Sequence, residues 1–329
     1  MELFFQLILL CVGLIFLWKI GEFAVQNAIG FSVIYGIERF TVGFFIFAIS
    51  TGLPEMSAAI VSSIKKVPEL SAGDLMGSTF VNVSLILGIS ILLAKKIEIP
   101  PDMRKKLFGT IGLIVLIFFG TVLAQVENIL TGILLIIIYI GSAIWFQTSI
   151  PKKEVSKELH EIEAEAKEKE KKPLISPKID ICIKLFASLL LLILSSWLTV
   201  YSATNVAEIL QLNLSIIGAT FIAIGTSLPE LTLEIHAVKQ KEYSLAIGDI
   251  FGSSLLNISF ILGLLILMNP SVDLALGKLI FPFLFAAILW VVFRLLQKKP
   301  FLRKDGLVFI GIFLVYISTM TIYSIFIAK

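Results

Sequence analysis

The chain is a succession of long apolar runs, each about the length that a helix needs to cross a bilayer, roughly 20 residues. Ten such runs stand out, at about 3–28, 40–64, 70–94, 107–124, 128–148, 180–204, 215–238, 244–268, 275–293 and 306–327. Polar residues fall mostly in the short connections between them. The exception is 150–178, a charged stretch with eight Lys and seven Glu that is closed by Pro173 and Pro177. Its composition reads as a solvated linker. The expected fold is therefore an all-α polytopic membrane protein with ten transmembrane helices. A first five-helix half covers 1–149 and a second covers 179–329.

Composition narrows the picture further. Of 329 residues, 57% are hydrophobic and only 16% are charged, too few charges to cover a soluble protein of this size. Cys11 and Cys182 lie far apart in apolar runs, without a disulfide or metal pattern. The first run lacks a basic leader and reads as a retained span. The net charge of +3 argues for no acidic partner, but the placement of the charges is informative. With the N-terminus outside, the cytoplasmic loops and linker hold 21 Lys and Arg and the outer loops hold four. This bias predicts both termini outside and the linker in the cytoplasm.

Residues 41–88 align with 216–263 at a constant offset of 175, with 19 identities in 48 positions and no gap. The identities include Thr51/Thr226, Pro54/Pro229, Glu55/Glu230, Gly73/Gly248, Asp74/Asp249, Gly77/Gly252, Ser78/Ser253 and Asn82/Asn257. Apolar background does not supply matches of this kind. Each copy is the second and third span of a five-span half. Five is odd, so the halves enter the membrane from opposite sides, the inverted repeat of many secondary transporters.

The matched polar residues fall at membrane depth. An intramembrane carboxylate costs about 2.5–3.5 kcal/mol or more unless it is paired. No Lys or Arg lies in the core of spans two, three, seven or eight to pair with Glu55 and Glu230. Either the two are protonated or a cation from solution neutralises them, and on a pseudo-two-fold axis they offer a −2 site suited to Ca2+ or Na+, which take hard oxygen ligands. Pro54 and Pro229 remove a helix N–H each and loosen the carbonyls of Ser50 and Gly225. A broken helix at this depth is tolerated where it lines a site. Asp74, Ser78 and Asn82, and their mates Asp249, Ser253 and Asn257, are four residues apart on one helix face. The Ser and Asn residues can thus face the two Glu as neutral oxygen ligands. The two Asp are read either as helix caps or as residues at a water-filled entrance.

The stretches AIGTSLPE and GDIFGSSLLN, with their diverged copies AISTGLPE and GDLMGSTFVN, resemble the α-repeats of the cation/Ca2+ exchanger superfamily, which includes the sodium/calcium exchangers. The resemblance implies a central Ca2+ position formed by Glu55 and Glu230 with the carbonyls of Thr51 and Thr226. It implies flanking Na+ positions built from the Ala48 and Ala223 carbonyls and the Ser78, Ser253 and Ser227 hydroxyls, with Asn82 and Asn257 beside the two Glu. Three departures are visible. Gly52 stands opposite Ser227, which removes a hydroxyl. Asn257 stands where some relatives carry Asp, which argues against K+ co-transport. Asp74 and Asp249 stand where Asn is commoner.

The expected function is antiport of Ca2+ for Na+ by alternating access, with H+-coupled Ca2+ or other cation exchange as the alternative. The partners are the lipid bilayer and these ions. No cofactor, nucleic acid or protein partner is implied. An intramembrane aspartyl protease is disfavoured, because Ser71 and Ala246 break its Gly-x-Gly-Asp pattern. A channel is disfavoured by the broken inverted repeats. Glu234, one turn past Glu230 on the same face, is read mainly as a hydrated interfacial residue, with extension of a cation or proton path toward the cytoplasm as the alternative, and His236 is also read as interfacial. Glu22 and Glu208 receive no role. Trp18, Trp145, Trp197 and Trp290 are read as anchors or packing residues.

Overall fold

A computed structural model of the chain describes residues 2–64, 66–123, 128–147, 177–209 and 223–327. Among the described residues the helices, in chain order, are α1 (Glu2–Tyr35), α2 (Arg39–Ile64), α3 (Pro68–Ala94), α4 (Pro101–Val122), α5 (Ile129–Gln147), α6 (Pro177–Ile209), α7 (223–239), α8 (Tyr243–Met268), α9 (Leu276–Leu296) and α10 (Arg303–Ile327). Among the described residues seven are long and apolar enough to cross a membrane: α1 to α4 and α8 to α10. In α5 the apolar stretch is shorter, Ile129–Ser142. The linker lies outside the described residues except for Pro177 and Lys178, which open α6. Proline is well placed there, because the first helical N–H has no intrahelical partner to lose.

Burial sorts the helices. In α3 and α8, 83% of the most apolar stretch is buried, against 12% in α1. These two helices therefore form the centre of the bundle, and side chains such as Phe4, Leu130 and Phe186 point outward, exposed. An apolar perimeter of this kind suits lipid.

The repeat extends to local backbone detail. The α2 helix breaks at Gly52, between Ala48–Thr51 and Leu53–Ile64, and α7 breaks at Ser227, between Ala223–Thr226 and Leu228–Lys239. Both breaks have nearly the same dihedrals, φ −77° and ψ 0° at Gly52 and φ −84° and ψ 6° at Ser227. Both central helices pass through a π-helical turn that begins at the paired Asn, Asn82–Ile86 in α3 and Asn257–Ile261 in α8. The turns that close α2 and α7 also match. Lys66 and Lys241 adopt left-handed φ of 59° and 63°. Behind them Val67 N–H donates to Ser62 and Glu242 N–H to Ala237, an arrangement that ends helices with a residue in the αL region.

Glycine sets the closest packing. Side-chain positions at Gly43, Gly248 and Gly252 would meet the carbonyl oxygens of Leu245, Phe40 and Phe44 at 2.2, 2.3 and 2.4 Å. At these three positions α2 and α8 therefore touch backbone to backbone, which only small residues allow. A second contact occurs twice. Gly88 of α3 meets Gly306 of α10, and Gly263 of α8, the mate of Gly88, meets Gly132 of α5.

One end of the bundle gathers four connections. Arg39 pairs with Glu242 at 2.9 Å and Lys106 pairs with Glu38. Residues Lys96–Ile97 form an antiparallel ladder with Phe301–Leu302. The basic loops after α1, α3, α7 and α9 thus share one face. Next to it Arg294 and Asp305 make a buried ion pair at 3.2 Å, and Asp305 also accepts from Trp290 Nε1 and from the Leu302 N–H.

Candidate cation site

The breaks in α2 and α7 place Glu55 and Glu230 one turn beyond each interruption, facing the middle of α3 and α8. Both Glu are fully buried, and Thr51, Thr226, Ser78, Ser253, Ser227, Asn82 and Asn257 are at most 1% exposed. Two cross-half contacts hold the site together. Thr51 Oγ1 lies 3.4 Å from Ser253 Oγ, and Thr226 Oγ1 lies 3.2 Å from Ser78 Oγ. Each is the other's image at the offset of 175. Where α3 and α8 cross, Thr79 Oγ1 donates to the carbonyl of its own mate, Ser254, at 3.5 Å. The pseudo-two-fold axis therefore passes through this polar centre.

The site is rich in oxygens, and among the described residues no cationic side chain faces them. Neither oxygen of Glu55 or Glu230 has a hydrogen-bond partner, nor do Ser227 Oγ and the side-chain amides of Asn82 and Asn257. The two Glu are close enough to repel each other, and Asp74 acts on both. The hydroxyl of Thr226 lies near Glu55 and that of Thr51 near Glu230, without a hydrogen bond of standard geometry. Among the described residues no Lys or Arg pairs with either Glu, and no three His, Cys, Asp or Glu converge as a metal cluster. The donor set is two carboxylates surrounded by neutral oxygens. That chemistry fits a hard cation that sheds its water.

The Ala48 and Ala223 carbonyls border this centre but are not free. Ala48 accepts from the Gly52 N–H at 3.0 Å. Ala223 accepts from the Ser227 N–H at 3.2 Å and lies 3.4 Å from Ser78 Oγ. Residues 216–222 of the second repeat lie outside the described residues.

The structure removes one of the two readings of Asp74 and Asp249 and overturns the interfacial reading of Glu234. Asp74 and Asp249 are not helix caps, since they sit six residues into α3 and α8 and are at most 1% exposed. Each accepts from its own Ser, Ser78 at 3.3 Å and Ser253 at 3.1 Å, and Asp74 accepts from Thr226 at 3.1 Å as well. Glu234 is fully buried with both oxygens unpartnered, not interfacial. His236 is also buried, 4% exposed, with its ring 4.5 Å from that of Trp18. The repeated Gly-Asp was the signal for the two Asp. For Glu234 the signal was its place one turn past Glu230 on the same face; the repeat carried none, because its mate is Ala59.

A family model described as sodium/calcium exchanger protein matches residues 5–148 and 182–322, one block on each half. The chain belongs to the sodium/calcium exchanger family. It is thus a multi-pass membrane transporter rather than an enzyme, and cation/Ca2+ antiport is its class of activity. An uncharacterized membrane protein of Methanocaldococcus jannaschii is 24% identical over 94% of this chain and 96% of its own length. The sodium/calcium exchanger MaX1 of Methanosarcina acetivorans is 26% identical over 80% of this chain and 83% of its own. A solved structure of the sodium-calcium exchanger NCX_Mj, soaked with Na+ and Sr2+, superposes with a TM-score of 0.81 at 20% identity, over 96% of this chain and 98% of that one. At that identity the likeness speaks for the fold, a helical membrane protein built from two repeats.

Proposed function

We propose that the chain exchanges Ca2+ for Na+ across the membrane by alternating access, with Ca2+ held at the midplane between Glu55 and Glu230. The observation that carries this reading is the pair of fully buried, symmetry-related carboxylates whose four oxygens all lack partners. Two unpaired charges at that depth cost roughly 5 kcal/mol or more, and a divalent cation offsets both at once. Thr51 and Thr226 contribute carbonyl oxygens to Ca2+. Ser78, Ser253, Ser227, Ala48 and Ala223 serve Na+ on either side, and Asn82 and Asn257 line the centre. One bundle half rocks against the other about this site, with α5, α6 and α7 completing ten spans. The halves are residues 1–149 and 179–329. The shared basic face, with the 150–178 linker, is cytoplasmic, which puts both termini outside.

A second reading, proton-coupled exchange, draws on Gly52, which lacks the Ser227 hydroxyl, and on the additional buried acids Asp74, Asp249 and Glu234. Purified protein in liposomes separates the two. An imposed Na+ gradient should drive uptake of radiolabelled Ca2+ and a pH gradient alone should not. Uptake driven only by the pH gradient replaces Na+ with H+ as the coupling ion.

A further inference from the structure

Glu234 and Asp249 lie on the packed helices α7 and α8, near enough for each carboxyl to act on the other. Both residues are fully buried. Both oxygens of Glu234 and Oδ2 of Asp249 have no partner, and only Asp249 Oδ1 is satisfied, by Ser253. Glu234 follows Glu230 by one helical turn, a rise of about 6 Å, toward the turn at 240–242. It is close enough to feel the charge of Glu230.

Among the described residues no Lys or Arg forms an ion pair with either carboxyl. Along α7, His236 follows two residues after Glu234 with its ring against Trp18, and Lys239 has its ammonium over the Trp18 ring at 4.5 Å. Arg39 at the same end of the bundle pairs with Glu242. The first half has no equivalent, because Ala59 occupies the position of Glu234 and is itself buried. Two carboxylates that approach at zero exposure repel strongly unless something positive lies between them.

We propose that Glu234 and Asp249 form a second cation position, a staging site for Ca2+ one turn from the central pair and present in the second half only. Two carboxylates supply the charge, and retained waters complete the shell of a cation that takes six to eight oxygens. Ca2+ moving between the central site and the 240–242 end of the bundle pauses there. The asymmetry makes the second half the stickier side of the pathway. This inference rests on the proposed Ca2+ transport but concerns different residues.

The test is equilibrium binding of radiolabelled Ca2+ to the purified full-length protein in Na+-free buffer. Wild type should show two components. Glu234→Ala, which installs the residue of the first half, should weaken one of them by about tenfold or more and keep the other. Glu55→Gln should do the converse. Glu234→Gln keeps the side-chain volume and stands in if the Ala variant does not fold. Isotherms of wild type and a folded Glu234 variant that coincide overturn the staging site while leaving the central site intact. An infrared protonated-carboxyl band that Glu234→Gln removes and Ca2+ leaves unchanged also overturns it, since a shared proton then holds the pair. No Ca2+ binding by wild type fails both readings together.

Discussion

Gly52 is where the two halves of the site differ most, and the structure shows what fills the difference. A Cβ built at Gly52 would lie 2.6 Å from Leu256 Cδ2. The mate of Leu256 is Val81, one methylene shorter, the counterpart of Leu256 for Ser227 at the offset of 175. Gly52 and Leu256 thus go together, with a leucine methyl in the space of a hydroxyl. The dihedrals at Gly52 are open to any residue, so the obstacle to Gly52→Ser is steric. Its Cβ would drive the Leu256 methyl back by about 1 Å, and overpacking of that kind costs about 1–3 kcal/mol. Leu256→Val alone removes one buried methylene and costs about 0.5–1.5 kcal/mol. In the double variant the two changes relieve each other, with a coupling of about 1–3 kcal/mol. If Na+ is the coupling ion, the new hydroxyl adds about 1 kcal/mol of ligation. The Na+ dependence of Ca2+ flux then shifts to about fivefold lower concentration. The assay pairs thermal unfolding in detergent with Na+-driven Ca2+ uptake for wild type, both single variants and the double. Additive stabilities would refute the steric account. Superimposed Na+ curves for wild type and an active double variant would show that this position ligates nothing.

Three further outcomes follow from the packing and the linker. Gly248→Ala sets a methyl 2.3 Å from the Phe40 carbonyl, a backbone atom that cannot swing away, so the melting temperature should fall sharply, by about 1–3 kcal/mol in stability; an unchanged melt refutes the backbone contact between α2 and α8. Asp305→Ala leaves Arg294 buried and unpaired and strips the Leu302 N–H and Trp290 of their acceptor, a loss of about 3–5 kcal/mol that denaturation should register. Replacing residues 154–170 by a Gly/Ser stretch of equal length should leave Ca2+ flux intact, since that segment lies outside both repeats; loss of flux in folded protein makes the linker part of the mechanism.

The repeat was legible because polar identities at one offset survive in an apolar background. The structure repeats the same spacing in the breaks at Gly52 and Ser227, the π-helical turns at Asn82 and Asn257, and the cross-half contacts of Thr51 and Thr226. The seven long spans were likewise written in hydropathy. The surroundings of Glu234 were not. Counting along the helix puts it near a span end, where water is expected, but α1 packs over that end. Gly21 sits against Thr232, and Trp18 against His236. Burial of this kind depends on a contact more than 200 residues away in sequence, which periodicity does not encode. The π-helical turns were hidden for a related reason. They accompany the close crossing of α3 and α8, and nothing in the local sequence of either helix announces a widened turn.

The central claim is that Glu55 and Glu230 jointly neutralise the transported Ca2+. Its most direct test is uptake of radiolabelled Ca2+ into Na+-loaded proteoliposomes by Glu55→Gln and by Glu230→Gln, with folding checked by monodisperse elution. Each variant keeps the shape of the site and removes one of its two charges, so a divalent ion is left half neutralised at low dielectric, where unpaired charge is costly. Both should lose exchange while remaining folded. Near-normal exchange in either one contradicts the account.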